Sequence, residues 1–408
     1  MIAPLLTMLL LAAAPDHRPD LVGRVTSTSG GPVAGARVLI NSAAVRRGTS
    51  PLCPSCYLDC AKGADTDGDG RFRIASVDPE LLFNVLVVAD GFRPAFAPKS
   101  DPTKAPVAVA LAPFDPGRFA PDLLIRGVVL GPAGRPLPGA KVTPRMFRTE
   151  AYSGFSPDIF DPVAVTNLRG EFAMTSKSPI ESVDLKVEGQ GVAPRTIPGL
   201  RPGRNPHRLG MTPGATLTGR VVRDGRPLAG VAVGLVQANR SMQSFLGDAT
   251  IGTDREGRFT FLNVHPDDDY FVYGLMEGFP DGGAVAARPV RVGGEGATTD
   301  AGDLAAVRGH RLRGRVLLSD EKPIPPKTRL MVSREDAWDH RSVELGPDGR
   351  FEITGLPTER YSLNVMLKGY RMSARNHSVD PQNPSRFVGT IDEDIDGLKI
   401  LMEPGERR

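Results

Sequence analysis

The stretch ADTDGDGRF, residues 64–72, has the residue types and spacing of a calcium-binding loop. Asp65, Asp67 and Asp69 alternate and a glycine follows them, as at the start of an EF-hand loop, whose oxygen ligands surround a hard cation. The twelfth position of such a loop requires a bidentate carboxylate, and here that position is Ser76. Two interpretations follow, a weak calcium site or the tip of a β-hairpin, and the rest of the chain must decide between them.

The three cysteines of the chain also lie close together, in the stretch SPLCPSCYLDC. Cys53, Cys56 and Cys60 fall in an insertion between a predicted strand and the aspartate-rich turn. In an exported protein we expect one disulfide and one remaining thiol, and any of the three pairings would satisfy this. A zinc site, with Asp59 or Asp65 as a fourth ligand, and a reactive or intermolecular thiol are the two alternatives.

The sequence contains no recognisable catalytic motif. None of the histidines has a glutamate three positions later, as a zinc carboxypeptidase would require; they are His17, His207, His265, His310, His340 and His377. A Gly-x-Ser-x-Gly elbow and a phosphate-binding Gly-x-x-x-x-Gly-Lys-Ser/Thr loop are also missing. Acidic clusters at 267–269 and 392–396 fall where hairpin loops are expected. We therefore predict a protein that is not an enzyme and holds no cofactor.

Residues 1–14 form an apolar stretch that ends in small residues, which is typical of a secretory signal peptide with an Ala-x-Ala cleavage site. A short buried segment is the alternative. No later run reaches the roughly 20 apolar residues that a membrane-spanning helix needs, so we expect no membrane span after signal removal. The predicted location is outside the cytoplasm: periplasmic, cell-surface or secreted.

The number and distribution of charged residues indicate that nucleic acid is not a partner. The chain has 50 basic and 47 acidic residues, a net charge of +3, and these charges are spread along its length. A nucleic-acid-binding surface would need a basic stripe with interleaved aromatic residues, and the sequence has none.

An internal repeat is the strongest signal in the sequence. A strand-like start recurs four times, as LVGRV at 21–25, IRGVV at 125–129, LTGRV at 217–221 and LRGRV at 312–316. Apolar residues or glycine alternate there with outward-facing positions, which is the period of a strand with one buried face. The central glycine indicates close approach of a neighbouring strand or a bulge.

The repeat also resolves the calcium-like stretch. TDGDGRF at 66–72 aligns with TNLRGEF at 166–172, TDREGRF at 253–259 and LGPDGRF at 345–351. The glycine and the phenylalanine recur in every copy, whereas the acidic residues are exchanged. A metal site needs its ligands, but a hairpin needs only a residue with positive φ and a following strand. The pattern therefore favours a turn, with a weak calcium site at Asp65, Asp67 and Asp69 as the lesser alternative.

The whole repeat predicts an all-β protein. Between strand starts lie Pro/Gly turns such as GRPLPGAKV, and the fourth copy, EKPIPPKTRL, has Pro326 in place of the glycine, so its turn should differ. We expect a tandem array of four small seven-stranded Ig-like or transthyretin-like β-sandwich domains. Their predicted bounds are 20–113, which includes the cysteine insertion, 121–213, 214–307 and 308–405.

The motif order G-x-V, P-L-x-G-A-x-V, T-D-x-x-G-x-F and G-F/Y resembles the carboxypeptidase regulatory-like domain, a transthyretin-like member of the Ig-like sandwiches. GVVLGPAGRPLPGAKV and GRVVRDGRPLAGVAV match it most fully. The resemblance implies a domain that is not itself catalytic, which accompanies a zinc peptidase or occurs in strings on exported proteins. Its fold is also similar to that of starch-binding modules, so carbohydrate binding is implied only by analogy.

Two classes of function follow. The first is a non-catalytic exported scaffold that binds a protein or another cell-envelope component through its loops or sheet edges. The second is a carbohydrate-binding protein, with a glycan as partner and Trp338, the single tryptophan, as the aromatic platform. A non-catalytic partner of a separate peptidase is a third possibility, which only the family resemblance suggests.

Overall fold

The computed structural model describes residues 18–47, 50, 52, 54–55, 57–155, 159–161, 163–241, 243–279, 281–376, 379–380 and 383–405. Their regular secondary structure is almost entirely β-strand. Their helical segments are short 3-10 turns at Leu58–Ala61, Pro116–Arg118, Pro121–Leu123, Pro132–Gly134 and Met276–Gly278. Within this described part of the chain, no helix has the length and apolarity needed to cross a bilayer.

The first sandwich contains seven strands in its described residues: β1 Leu21–Ser27, β2 Arg37–Val45, β3 Gly63–Asp65, β4 Arg71–Ile74, β5 Leu81–Val88, β6 Ala95–Ser100 and β7 Val107–Leu111. They form one sheet in the order β4-β1-β7 and a second in the order β3-β2-β5-β6. The first strand lies in the middle of the smaller sheet, antiparallel to β4 and parallel to β7.

The second sandwich follows the same plan with strands β8 Leu124–Leu130, β9 Lys141–Arg148, β10 Ser153–Gly154, β11 Ala164–Val165, β12 Glu171–Thr175, β13 Ser182–Glu188, β14 Arg195–Leu200 and β15 His207–Gly210. Its sheets are β12-β8-β15 and β10-β9-β13-β14, with β11 also paired to β9. Two very short strands thus take the place that β3 has in the first sandwich.

The third sandwich consists of β16 Ala215–Arg223, β17 Arg226–Pro227, β18 Ala232–Gln237, β19 Asp248–Gly252, β20 Arg258–Val264, β21 Asp269–Gly274, β22 Gly283–Ala284, β23 Arg288–Arg291, β24 Thr298–Ala305 and β25 Val307–Arg308. Its sheets are β17-β16-β20, in which β16 also pairs with β24, and β19-β18-β21-β23. The short strands β22 and β25 pair with each other.

The fourth sandwich consists of β26 His310–Leu318, β27 Arg329–Arg334, β28 His340–Glu344, β29 Arg350–Leu356, β30 Glu359–Met366, β31 Tyr370–Met372, β32 Val379–Asp380, β33 Asn383–Ile391 and β34 Ile395–Pro404. Its sheets are β29-β26-β34-β31 and β28-β27-β30-β33-β32. The recurrent plan confirms the predicted all-β array, while short additional strands raise the count above seven in the later sandwiches.

Each pair of sheets encloses a core of alternating apolar side chains. Buried clusters occur within residues 21–111, 125–211, 215–306 and 312–402 of the described chain, and Met276 of the third sandwich joins the fourth core. Fully buried members include Phe83, Phe147 and Tyr361. The period-two pattern produces these cores because alternate residues of a strand point to the same face.

The described chain divides into two compact units. One contains the described residues up to Arg46 together with Tyr57–Phe114, and the other contains Arg47–Cys56 and Asp115–Arg408. Within the second unit, the Gly252 N–H donates to the Ser50 carbonyl at 2.6 Å, and Gln190 donates to the Ser55 carbonyl at 3.2 Å. These hydrogen bonds explain why Ser50 and Ser55, which belong to the cysteine insertion, are part of the second unit.

The recurrent glycine and phenylalanine are partners across two strands. Register pairs Gly23 with Phe72, Gly127 with Phe172, Gly219 with Phe259 and Gly314 with Phe351. In each pair the buried ring occupies the space that a side chain at the glycine position would need. A Cβ on Gly127, for example, would lie 2.5 Å from Cε1 and 2.8 Å from Cζ of Phe172. This is the close approach that the sequence predicted, since an aromatic ring can cover a strand glycine.

Gly127→Ala should therefore destabilise the second sandwich by about 1–3 kcal/mol, because a well-packed core resists an added methyl group. Hydrogen–deuterium exchange of β8 and β12 peptides measures the change locally. Gly210→Ala is the matched control, because nothing lies within 4 Å of its added Cβ; we expect less than about 0.5 kcal/mol there. Adding Phe172→Leu should recover part of the Gly127→Ala loss. Simple additivity of the two would contradict the packing account.

Candidate functional site

The calcium-like stretch is a hairpin tip in which Asp67 caps the turn. Its Oδ1 accepts hydrogen bonds from the backbone N–H groups of Asp69 at 2.9 Å and Arg71 at 2.8 Å. Gly70 supplies the positive φ of 75°. The carboxylate of Asp65 pairs with Arg37, and that of Asp69 with Arg71. The three carboxylates are thus engaged with different partners, and no cluster of three His, Cys, Asp or Glu residues suited to a metal occurs among the described residues.

The same cap recurs with a neutral residue. Asn167 Oδ1 accepts from the N–H groups of Arg169 and Glu171 at 3.0 and 2.9 Å, and Asp254 Oδ1 accepts from Glu256 and Arg258 at 3.0 and 2.8 Å. The position therefore needs a side-chain oxygen and not a charge, which is the property of an Asx turn.

Asp67→Asn should change the stability of the first sandwich by less than about 0.5 kcal/mol, because asparagine supplies the same acceptor. Asp67→Ala should cost about 1 kcal/mol, since both backbone donors lose their partner. Thermal unfolding with and without millimolar Ca²⁺ measures both effects. A rise in the midpoint with Ca²⁺ that Asp67→Asn abolishes would contradict the turn interpretation and favour a calcium site.

Of the three cysteines, the structure describes Cys60 alone, so the predicted disulfide stays a prediction. Cys53 and Cys56 lie outside the described residues. Cys60 lies in the 3-10 turn Leu58–Ala61 and is buried against the first core, at 6% exposure. Burial raises the pKa of its thiol to about 11, so little thiolate forms near neutral pH. This environment is that of a packed side chain and not of an activated nucleophile.

The acidic clusters span connecting loops and the first residues of the strands that follow, since Asp269 begins β21 and Asp396 is the second residue of β34. Residues 267–269 lie between β20 and the start of β21, where Asp268 accepts a hydrogen bond from Gln237 at 2.6 Å and Asp269 pairs with Arg291 at 3.0 Å. Asp394, between β33 and β34, accepts from the backbone N–H of Arg311 at 2.8 Å.

Trp338 lies in the loop between β27 and β28, where the fourth sandwich meets the third. Its side chain is 52% exposed, and its ring packs against Phe245 of the third sandwich with centroids 5.0 Å apart. Arg240 donates to the carbonyls of Glu335 and Ala337 in the same loop. A recess of about 360 Å³ lies beside the ring and is lined in part by Arg240 and His340.

Ala337 of this loop is buried at 2% exposure against Val236 and Tyr273 of the third sandwich. The loop is therefore both a contact between two sandwiches and the edge of an open recess. The indole contacts the Phe245 ring at an interplanar angle of 40°, and this aromatic contact holds it at the edge of the recess.

Behind the loop lies a buried ionic cluster centred on Arg334, the last residue of β27. Its side chain has no solvent exposure. Nε and Nη2 donate to Glu359 at 2.9 and 2.6 Å, and Nη1 donates to Asp339 at 3.2 Å. The remaining donors reach across to carbonyl oxygens of the third sandwich, Gly274 at 2.7 Å and Val285 at 3.1 Å. All five guanidinium N–H groups thus have acceptors.

The two carboxylates also bond to the third sandwich, as acceptors of backbone N–H groups. Asp339 accepts the N–H of Met276 at 2.9 Å, and Glu359 accepts the N–H of Ala287. Both donors belong to the third sandwich, so Arg334, Asp339 and Glu359 each bond to the backbone of the third sandwich. We call Arg334, Asp339 and Glu359 the junction triad.

Burial raises the pKa of Asp339 above its ordinary value, although Arg334 opposes the change. The folded state then binds a proton at higher pH than the unfolded state. The favourable contribution of this group is therefore complete below the unfolded pKa and is lost as pH rises through the folded pKa. The triad is a well-satisfied clamp, with its donors and acceptors directed at one another and at backbone groups.

The sequence interpretation singled out Trp338 but not the triad. A signal existed, because Leu330, Val332 and Arg334 alternate along β27 and the first two are buried. Period two alone would have pointed the arginine inward. Glu359 and Asp339 had no such signal, since each lies at the end of a strand or loop.

No family model and no curated protein sequence matches the chain. Among solved structures, a streptococcal ancillary pilin is similar at 14% identity and a TM-score of 0.25, over 70% of this chain and all of that one. The Bacillus anthracis TIE protein gives 12% identity and 0.20 over 97% and 76%, and the Streptococcus agalactiae minor pilin GBS52 gives 14% and 0.24 over 48% and 98%. Likeness at these values carries no argument about function. By its own strands and cores, the chain is an all-β protein of several β-sandwich domains.

Proposed function

We propose that the chain is a non-catalytic exported scaffold that binds a protein or another cell-envelope component. In this proposal it is built of carboxypeptidase regulatory-like domains at 20–113, 121–213, 214–307 and 308–405, behind a signal peptide at 1–14. The recurrent motifs support the proposal, because the structure uses each one for backbone geometry: a glycine under a ring, a positive-φ turn and an Asx cap.

The junction triad is the observation that carries the proposal. A flexible linker between domains would leave their relative orientation undetermined, and interfaces between domains are commonly polar and mobile. Here Arg334 is fully buried and bonds to carbonyls of the preceding sandwich. Directional bonds of this kind hold the third and fourth sandwiches in one orientation, which a scaffold needs if its surfaces are to act together.

The sheet edges indicate how such a scaffold would bind. Three edge strands, β6, β14 and β23, contain Pro98, Pro198 and Pro289. Proline cannot donate to an added strand, so these edges resist pairing with an extended peptide. We therefore place binding on loops and sheet faces and not on these three edges.

Cross-linking to the envelope fraction of the producing cells tests the proposal. The full chain should capture the same partner reproducibly, and Arg334→Ala, which loosens the junction, should capture less of it. Arg329→Ala, an exposed arginine of the same strand, should behave as the unchanged protein. Absence of any reproducible partner would count against the scaffold, and substrate turnover by the purified chain would overturn it. N-terminal sequencing of exported protein should begin at Pro15.

Carbohydrate binding at Trp338 is the second candidate. The half-exposed ring, its backing by Phe245 and the adjoining recess favour it. A glycan array probed with the full chain should then show a signal that Trp338→Ala removes. Tyr152→Ala is the control, because Tyr152 is 58% exposed and lies in the second sandwich. An array without signal, or one that Trp338→Ala leaves unchanged, would remove this candidate.

A further inference from the structure

A row of three cationic side chains crosses the smaller sheet of the fourth sandwich. Arg315 of β26 lies in register with Arg350 of the antiparallel strand β29 and with Lys399 of the parallel strand β34. All three are exposed, and buried Val316, Phe351 and Ile400 follow them on the opposite face. Neighbouring strands lie about 4.8 Å apart, so three positive charges stand side by side over roughly 10 Å. We call these residues the cationic row.

The third sandwich has the same row with one decisive difference. Arg220 lies between Arg258 and Asp303, and Asp303 forms a two-point ion pair with Arg220 at 2.9 and 2.7 Å. Lys399 therefore stands in the fourth sandwich where the third has a neutralising aspartate.

Local carboxylates compensate the cationic row only in part. Asp348 pairs with Arg350 at 3.0 Å, and Glu352 pairs with Arg313 in the next row at 3.0 Å. Among the described residues, no carboxylate forms an ion pair with Arg315 or Lys399. Like charges directly opposite each other destabilise a sheet. The third sandwich has one such contact, Arg220 with Arg258, whereas the fourth has two, because Lys399 also lies opposite Arg315.

The row lines an open groove of about 600 Å³, together with Arg313, Glu344 and Glu352. We propose that this groove binds an acidic polysaccharide, whose carboxylates lie along the cationic row. Complementary charge would relieve the repulsion among the three cations, and the open groove leaves a long chain free to continue on both sides.

The position of the row favours a polysaccharide over other polyanions. It lies on a sheet face, where β26 already pairs with a strand on each side, so an acidic peptide would find no backbone edge to extend. Single-stranded nucleic acid is bound by exposed aromatic side chains on which bases stack, and the aromatic residue of this groove, Phe351, is buried at 6% exposure. The groove therefore offers a ligand exposed cationic side chains and no exposed aromatic ring.

This inference assigns a class of ligand to the proposed scaffold. It rests on the proposed function, because only that function places the protein in the cell envelope. Titration calorimetry of the full chain with polygalacturonate, dextran, polyglutamate and oligo-dT tests it at low and high salt. We expect polygalacturonate to bind most tightly and to weaken as salt rises. Lys399→Gln, which removes one positive charge, should weaken binding about fivefold, and Lys399→Asp, which changes the charge by two and restores the charges of the third sandwich, about 25-fold.

Lys368→Asp makes the same charge change at another exposed position of the fourth sandwich. Lys368 does not line the groove, and salt screens exposed charges, so this variant should alter binding less than about twofold. Equal losses in Lys368→Asp and Lys399→Asp would overturn the inference, as would polygalacturonate binding no better than dextran. Tighter binding of polyglutamate or oligo-dT would replace it with a peptide or nucleic-acid partner. Unchanged Trp338 emission verifies that each variant is folded. A negative result here leaves the cross-linking test of the scaffold unaffected.

Discussion

Replacing Arg334 by alanine is expected to destabilise the junction of the third and fourth sandwiches by about 3–5 kcal/mol, because it leaves two buried carboxylates without their cation. Asp339 and Glu359 have side-chain exposures of 6% and 7%, so water cannot replace the guanidinium. Trp338 reports the loss directly. It is the single tryptophan, and its ring packs on Phe245 across the same junction, so urea unfolding followed by its emission should show an earlier transition.

Arg329→Ala is the matched control for this experiment. Arg329 begins the same strand, β27, but is exposed and bonds to Ser342 at 2.8 Å, so its loss should cost less than about 0.5 kcal/mol. Adding Asp339→Asn and Glu359→Gln to Arg334→Ala should recover part of the loss, because amide oxygens still accept the N–H groups of Met276 and Ala287 without a charge. A transition that Arg334→Ala leaves unmoved would show that the clamp does not hold the junction.

The pH dependence of the stability of the Arg334→Ala variant provides a second test of the buried ion pairs. Without the guanidinium, which opposes the effect of burial, the pKa of Asp339 should rise further, because desolvation disfavours its charged form. A group with a raised folded pKa contributes stability that grows as pH falls toward its unfolded value. The variant should therefore lose less stability relative to wild type near pH 4 than near pH 7.

The fold could be predicted from the sequence because the residues that recur in the repeat are those that determine backbone conformation. Period-two strands, the Gly–Phe partnership and the Pro/Gly turns each have a local physical cause that four copies repeat. The exchange of Asp67 for Asn167 identified the hairpin tip, and both side chains accept the same pair of backbone N–H groups. The fourth turn differs as expected: Lys327 has the positive φ, 64°, that Gly139 and its counterparts supply elsewhere.

The sites between elements could not be predicted in the same way. The junction triad joins residues 334, 339 and 359 to backbone atoms 49–72 positions earlier in the chain. Such pairing depends on how two sandwiches are placed and not on any local period. The cationic row has a similar origin. Arg315, Arg350 and Lys399 are unremarkable as separate surface charges, and only strand register shows that they are neighbours.

Replacing Thr166 by valine should destabilise the second sandwich by roughly 2–4 kcal/mol, because two buried backbone groups lose their partner at once. The Thr166 hydroxyl accepts the N–H of Ala140 at 2.8 Å and donates to the carbonyl of Leu137 at 2.6 Å. Its side chain has no solvent exposure, so water cannot take its place. The hydroxyl thereby ties the Pro/Gly turn to the hairpin tip. Hydrogen–deuterium exchange of peptides around Ala140 measures the change in local opening free energy.

Thr166→Ser separates the hydroxyl from the methyl group. Serine retains both hydrogen bonds and loses one methyl, so it should cost about 1 kcal/mol. The chain contains its own comparison, since Thr66 and Thr253 make the same two bonds, whereas the fourth copy has buried Leu345. There the Thr328 hydroxyl donates to Pro325 at 2.6 Å, and the Thr328 carbonyl accepts the N–H of Leu345 at 2.9 Å. An apolar residue is thus tolerated only where the turn itself is rebuilt, so equal stabilities of Thr166→Val and Thr166→Ser would refute the hydroxyl's role.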